Sequence, residues 1–223
     1  MNNKIKTAAL VYSRSDSTRL PRKAFLPFGN TNLISYVLER AIHLNVDEII
    51  LATTDRACDD EYLSILKNEK FIGIKIFRGS CDNVVKRTLE ALNENKIDRF
   101  CRINGDCPFF PYNHINNYIH NMDYEFINNI RERTFPYGIS IEILNTKFYK
   151  HNSNNVDKNF QEHVTQHLYN REKFVLEKCL LLDEINKGYS ENIDRYVIDT
   201  SQDYNFWTDK IITDSLKPDK IFL

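Results

Sequence analysis

The sequence predicts an α/β fold, with a mostly parallel central sheet and helices on both faces. Three observations predict it. Apolar runs of strand length alternate with amphipathic helical stretches through the first half, in ~25-residue units as βαβ crossovers require. Each run is short, apolar and closed by polar punctuation, as strands buried on both faces are. The polar segments after the runs would share one edge of the sheet, where open α/β sheets bind ligands.

The elements follow in order. Residues 8–12 (Ala-Ala-Leu-Val-Tyr) form the first strand, and a long polar loop occupies 13–30. A helix over 32–44 places Leu33, Val37, Ala41 and Leu44 on one face, with Thr31 or Asn32 as its N-cap. A second strand at 49–52 leads to a helix over 59–70 carrying Tyr62, Leu63 and Leu66. A third strand at 74–77 leads to a helix over 83–95, with Val84, Val85, Leu89 and Leu92 facing inward. A fourth strand, 100–103, ends at Gly105-Asp106. Beyond Asp123 the pattern is less regular: strands are expected at 124–127, 139–144 and 195–198, and helices at 160–169 and 202–212. No linker rich in Gly, Pro or Ser interrupts the chain, so residues 1–223 read as one domain whose halves meet near 122.

Composition excludes several classes. Hydrophobic residues make up 42% of the 223, enough to fill a core. The formal net charge of −1 supplies no basic field for nucleic acid, so any anion site must come from local clustering. No stretch approaches the ~20 apolar residues of a membrane span, and the first six residues lack a signal-peptide core. Cys58, Cys81, Cys101, Cys107 and Cys179 form no CxxC pair, which predicts free thiols in a reducing cytoplasm.

Chemistry concentrates in four polar segments, 13–23, 53–60, 78–82 and 104–108. The first carries Arg14, Arg19, Arg22 and Lys23 among Ser15, Ser17 and Thr18, a set suited to a polyphosphate through charge-assisted hydrogen bonds. A solvated basic loop fits the same residues. The loop is neither a Walker A nor a GxGxxG sequence, which argues against a P-loop NTPase or a dinucleotide oxidoreductase. Asp106 ends the fourth strand, and Asp199 follows the late apolar run Tyr196-Val-Ile198. Either carboxylate suits Mg²⁺, which takes one or two carboxylates besides phosphate oxygens and water; either suits a helix N-cap equally. His163 and His167 stand four apart without the zincin order or a third ligand. Cys107 has no His placed to activate it, so a packed thiol is expected.

These residues together resemble a family. Arg14-Ser-Asp-Ser-Thr-Arg-Leu-Pro-Arg-Lys23 is similar to the RxxSTRLPgK signature of the cytidylyltransferases that make CMP-Kdo and CMP-sialic acids, and most of all to their spore-coat polysaccharide biosynthesis protein F type. Further matches follow in order: Ala52-Thr-Thr-Asp55 with Asp59 and Asp60, Phe77-Arg-Gly-Ser80, and Arg102-Ile-Asn-Gly-Asp-Cys-Pro108. Then come Thr134-Phe-Pro-Tyr-Gly138 with Glu142, Glu162-His-Val-Thr165, and Ile198-Asp-Thr200 with Asp203. They span nearly the whole chain.

The resemblance implies a Rossmann-like nucleotidyltransferase fold that binds CTP, Mg²⁺ and a small sugar acceptor, usually as a homodimer. The half before residue 122 would bind nucleotide; the half from 123 would supply the sugar pocket, the dimer contact and a closing strand and helix with the second metal-binding Asp. Arg14, Ser15, Arg19 and Lys23 would hold the triphosphate, and Asp106 and Asp199 the metal. Ala52, Thr53, Asp55, Arg78 and Ser80 would border cytosine and ribose. Arg133, Tyr137, Glu142, Glu162 and His163 would shape the sugar pocket. Three positions depart from the pattern: Arg22 where Gly is common, Phe109-Phe-Pro-Tyr112, and Ile139-Ser-Ile141. A different nucleotide, a different acceptor, or a homologue that binds without turning over are the competing functional readings.

Overall fold

In the computed structural model, which describes residues 4–181, 193 and 195–212, the strands order as β5-β4-β1-β6-β8-β7-β9 in one sheet. The first of them, β1 (Thr7–Tyr12), is buried at every position and pairs in parallel with β4 (Glu48–Thr54) and β6 (Arg99–Asn104). Next to β4 lies β5 (Lys75–Gly79), also parallel. The later strands extend the same sheet. β8 (Glu142–Asn145) is antiparallel to both β6 and β7 (Phe126–Asn128), and β9 (Glu177–Cys179) runs parallel to β7 at the edge. The short β2 (Pro27–Phe28) and β3 (Thr31–Asn32) form a separate hairpin.

Both faces of the sheet are covered, and alternation along β1 shows how. Ala9 and Val11 join the core beneath α1 (Leu33–Ala41), with Tyr62 of α2 (Glu61–Ile65), Ile115 of α4 (Tyr112–Tyr118) and Trp207 of α7 (Ser201–Ile212). Ala8, Leu10 and Tyr12 join the opposite core, against α3 (Val84–Glu94), α5 (Thr146–Asn152) and α6 (Gln166–Tyr169). With both faces dry, every position of the strand is apolar or aromatic except Thr7 at its start. Two helices carry asparagine caps, of which the first was expected. Asn32 Oδ1 accepts the Ser35 N–H at 2.9 Å and Asn83 Oδ1 the Lys86 N–H at 2.7 Å. No helix among the described residues is long and apolar enough to cross a membrane.

The structure corrects the second half most. The expected helix over 160–169 is broken into a 3₁₀ turn at Lys158–Phe160 and α6. Its middle cannot be helical because the Gln161 carbonyl accepts the N–H groups of Val84 (2.7 Å) and Val85 (3.4 Å) at the head of α3. The expected strand at 195–198 is an extended segment with one bridge, Tyr137 to Arg195, and no place in the sheet. The expected strand at 139–144 begins only at Glu142. In the first half, the helix expected over 59–70 is shortened to α2 between two 3₁₀ turns. Helices α4 and α5 and strand β9 were not expected, since none carries a clear apolar period. The Phe109-Phe110 departure is a packing feature: the Phe109 ring lies 4.2 Å from Trp207 and 6.0 Å from Tyr196, centroid to centroid, and anchors α7.

Candidate active site

The basic loop after β1 is braced from the side by the segment after β4. Asp59, with no exposed surface, accepts the Ser15 N–H at 2.8 Å, the Thr54 N–H at 3.3 Å and the Thr54 hydroxyl. Burial pushes its pKa up, but these hydrogen bonds outweigh burial and hold it below the usual carboxylate value. Ser13 and Tyr62 share a 2.7 Å hydroxyl hydrogen bond, Asp16 pairs with Arg56, and Arg22 pairs with Glu61 at 2.5 Å. Arg22 has φ 55°, the left-handed region that favours glycine. Its side chain is turned outward to Glu61.

This brace leaves Lys23 pointing at two carboxylates. Its Nζ lies 2.6 Å from Asp106 Oδ2 and 3.1 Å from Asp199 Oδ1, and Arg19 Nη1 lies 2.5 Å from Asp199 Oδ2. Burial pulls the Lys23 pKa down, but Asp106 and then Asp199 raise it above the ordinary value, so the ammonium stays charged. Asp106 is placed by Gly105, whose N–H donates to the Tyr12 carbonyl at 2.8 Å. A Cβ at Gly105 would meet that oxygen at 2.8 Å. Asp199 is placed by the Ile198 N–H, which donates to the Asp106 carbonyl at 2.8 Å.

Asp199 is not the cap of α7. Thr200 Oγ1 accepts the Asp203 N–H at 3.1 Å while Asp203 Oδ2 accepts the Thr200 N–H at 3.0 Å, a reciprocal capping box. With the helix end satisfied by its neighbours, Asp199 is free to face Lys23. Two carboxylates that converge on one ammonium offer the hard-oxygen donor set that Mg²⁺ takes along with phosphate oxygens and water. The residues fit such an ion.

Around this cluster opens a pocket of about 420 Å³, within the size range of small-molecule sites. Of the residues singled out in the sequence, Arg14, Arg19, Lys23, Asp106, Arg133, Tyr137, Glu162, His163 and Asp199 line it. Ser15, Ala52, Thr53, Asp55, Arg78, Ser80 and Glu142 are not among its lining residues. Arg78 is spent on the Thr54 and Arg56 carbonyls (3.1 and 2.8 Å) and on Asp60. The Ser80 hydroxyl accepts the Asn83 N–H at 3.1 Å, and Ala52 and Thr53 are fully buried in β4.

Glu142 lies behind the wall rather than on it. It pairs with Arg102 and accepts the Thr165 hydroxyl at 2.5 Å and the Tyr169 hydroxyl at 2.8 Å. Arg102, which does line the pocket, is therefore fixed from the rear. Burial lowers the Arg102 pKa, and Glu142 more than reverses that.

Arg87 and Arg102 are wall residues to which the sequence reading gave no role, although Arg102 opens one of the matched motifs. Each had a signal: Arg102 interrupts an apolar strand, and Arg87 sits on the inward stripe of α3 with Val84, Thr88 and Ala91.

Other candidates resolve more simply. His167 is buried and shares a 3.0 Å hydrogen bond with Ser153 Oγ, while His163 lines the pocket. The two do not form a metal pair, and no cluster of three or more His, Cys, Asp or Glu suited to a metal occurs among the described residues. Burial holds the His167 pKa at about 4, with Arg171 adding to the effect. Cys107 is a packed thiol, pushed well above its ordinary pKa by burial and then by Asp106.

Comparison with known proteins agrees with this architecture. Residues 8–213 match the cytidylyltransferase family model. The chain is 27% identical over 207 residues to the spore coat polysaccharide biosynthesis protein SpsF of Bacillus subtilis, covering 87% of this chain and 82% of that protein. A cytidylyltransferase from Leptospira borgpetersenii superposes with a TM-score of 0.80 at 28% identity, over 96% of this chain and 89% of the other. A CMP:2-keto-3-deoxy-manno-octonic acid synthetase complexed with CTP shares the fold at 15% identity, with a TM-score of 0.66 over 95% of this chain and 100% of the other. The chain belongs to the cytidylyltransferase family and is a nucleotidyltransferase by fold and family.

Proposed function

We propose that this chain transfers CMP from CTP to a hydroxyl of a 2-keto sugar acid, with Mg²⁺ as cofactor and release of pyrophosphate, for surface polysaccharide or glycan biosynthesis in the cytoplasm. The observation that carries the reading is the Lys23 ammonium held between Asp106 and Asp199 on the pocket wall. In the reaction the acceptor oxygen bonds to the α-phosphorus and gives up its proton to water. The bond from that phosphorus to the pyrophosphate breaks, and pyrophosphate leaves.

Such transfer rests on positioning and charge neutralisation rather than a covalent intermediate. Asp106 and Asp199 would hold the magnesium ion, which when bound neutralises phosphate charge and makes a nearby hydroxyl more acidic. Arg14, Arg19 and Lys23 line the pocket and would grip the triphosphate and steady the leaving pyrophosphate. Arg133, Tyr137, Glu162 and His163 also line it and would meet the acceptor. A homodimer is expected, with residues from 123 onward contributing to its interface.

The decisive experiment measures pyrophosphate release with each of the four ribonucleoside triphosphates and a panel of 2-keto sugar acids, with and without Mg²⁺. Turnover confined to CTP, and abolished by a chelator, is the expected result. Turnover with another triphosphate, or with a neutral sugar in place of the acids, replaces the proposed substrates. No Mg²⁺-dependent binding of CTP would sink the reading.

A further inference from the structure

Among the described residues, the partly or fully buried cations of the pocket wall are matched by carboxylates, with one exception. Lys23 has Asp106 and Asp199, and Arg102 has Glu142. Arg87 is 3% exposed and lines the pocket, yet no ion pair reaches it among the described residues. Its Nη1 donates to the Ser80 carbonyl at 3.0 Å, and its Nε is buried without a partner. A guanidinium buried without a counter-ion is costly.

Burial alone does not mark a site. Arg99 is also buried without an ion pair among the described residues and donates to the Tyr124 carbonyl, but it does not line the pocket. Arg87 differs because its wall is open to a ligand. The fold also makes room for it: a Cβ at Gly79 would lie 3.1 Å from Arg87 Cγ and 2.9 Å from the Phe77 ring. Nor does the head of α3 serve as the anion donor, since the N–H groups of Val84, Val85 and Lys86 are taken by Gln161 and Asn83.

We propose that Arg87 binds a substrate oxyanion, either a phosphate of the nucleotide or the carboxylate of the acceptor, through the part of its guanidinium that the protein leaves unpaired. The identity of those substrates rests on the function proposed above. Burial and the nearby Arg14 charge both lower the Arg87 pKa, and a bound anion would oppose both.

The test compares the wild type with Arg87→Lys and Arg87→Met. Titration calorimetry with CTP and with cytidine reads the nucleotide, and the KM of the sugar acid that supports turnover reads the acceptor. CTP affinity lower by about tenfold or more in Arg87→Met, with cytidine affinity unchanged and Arg87→Lys in between, assigns the phosphate. Unchanged CTP affinity with a KM raised by a similar factor assigns the carboxylate. If both stay unchanged and only the melting temperature falls, Arg87 is a structural pin and the proposal is overturned. Should the wild type show no turnover, the proposed function fails but this site is still decided by inorganic pyrophosphate. A pyrophosphate-induced rise in melting temperature that Arg87→Met loses upholds the site; equal rises, or none in the wild type, overturn it.

Discussion

Lys23 and Arg102 are both pocket cations paired with carboxylates, and they sit in opposite kinds of surroundings. Lys23 bridges Asp106 and Asp199 where all three side chains keep some access to the pocket, at 15%, 27% and 8% exposure. Glu142, which holds Arg102, has none, and every contact on it is internal: Arg102, Thr165 and Tyr169. The first cluster can exchange partners, because a substrate phosphate can replace a carboxylate around a partly hydrated ammonium at modest cost. The second cannot, because Glu142 is fully enclosed and losing Arg102 would strand its charge in a dry environment. The same ion-pair chemistry thus gives a responsive site in one region and a rigid wall in the other.

The comparison predicts that damage to the first region costs activity and damage to the second costs stability. Asp106→Asn should lower kcat by about 10²–10³-fold with a near-wild-type melting temperature. Steady-state pyrophosphate release and thermal melting measure the two, and near-normal turnover would remove Asp106 from the proposed metal site. Glu142→Gln should lower unfolding free energy by about 1–3 kcal/mol, because Arg102 loses its counter-ion on a wall only partly open to water. Urea denaturation reads this, and a loss below ~1 kcal/mol would show that the wall is not fixed in this way.

The rigid region also contains a neutral imidazole. The His167 pKa is held at about 4 in the folded protein, against ~6.5 when unfolded. The unfolded chain takes up a proton over that interval and the folded one does not, so stability falls as pH drops from about 6.5 to about 4. The fall is at most about 3 kcal/mol, and His167→Gln should flatten that part of a stability-against-pH curve. A slope unchanged in that variant assigns it to other groups.

Lys23→Ala should weaken CTP binding about tenfold with little change in urea midpoint, because Asp106 stays partly exposed and Asp199 keeps its pair with Arg19. Unchanged affinity by calorimetry would make the loop a solvent-facing one. The smallest effect is expected of Arg22→Gly. It relieves a left-handed φ worth ~1 kcal/mol, gives up a surface ion pair, and frees the unfolded backbone. The three nearly cancel, so stability should shift by less than about 1 kcal/mol.

The difference in legibility follows the same division. The first half was readable because its strands carry apolar runs closed by polar segments, and parallel pairing leaves little choice of face or end. Asp106, read from its position after β6, and Arg14, Arg19 and Lys23, read from their position after β1, all line the pocket. Sequence alone determined the sheet type, the edge where the pocket opens and the family, because periodicity and motif order are properties of a single chain read locally. It could not decide whether Asp199 caps a helix or faces the pocket, whether Glu142 is wall or backing, or that Arg78 is used up by backbone carbonyls. Those outcomes depend on contacts between distant segments. Lys23 and Asp199 meet across 176 positions, and Gly138 admits the 195–198 segment only because it lacks a Cβ, which would lie 2.5 Å from the Tyr196 carbonyl. A carboxylate's role is set by the donors that tertiary packing brings to it, and spacing along the chain carries no record of them.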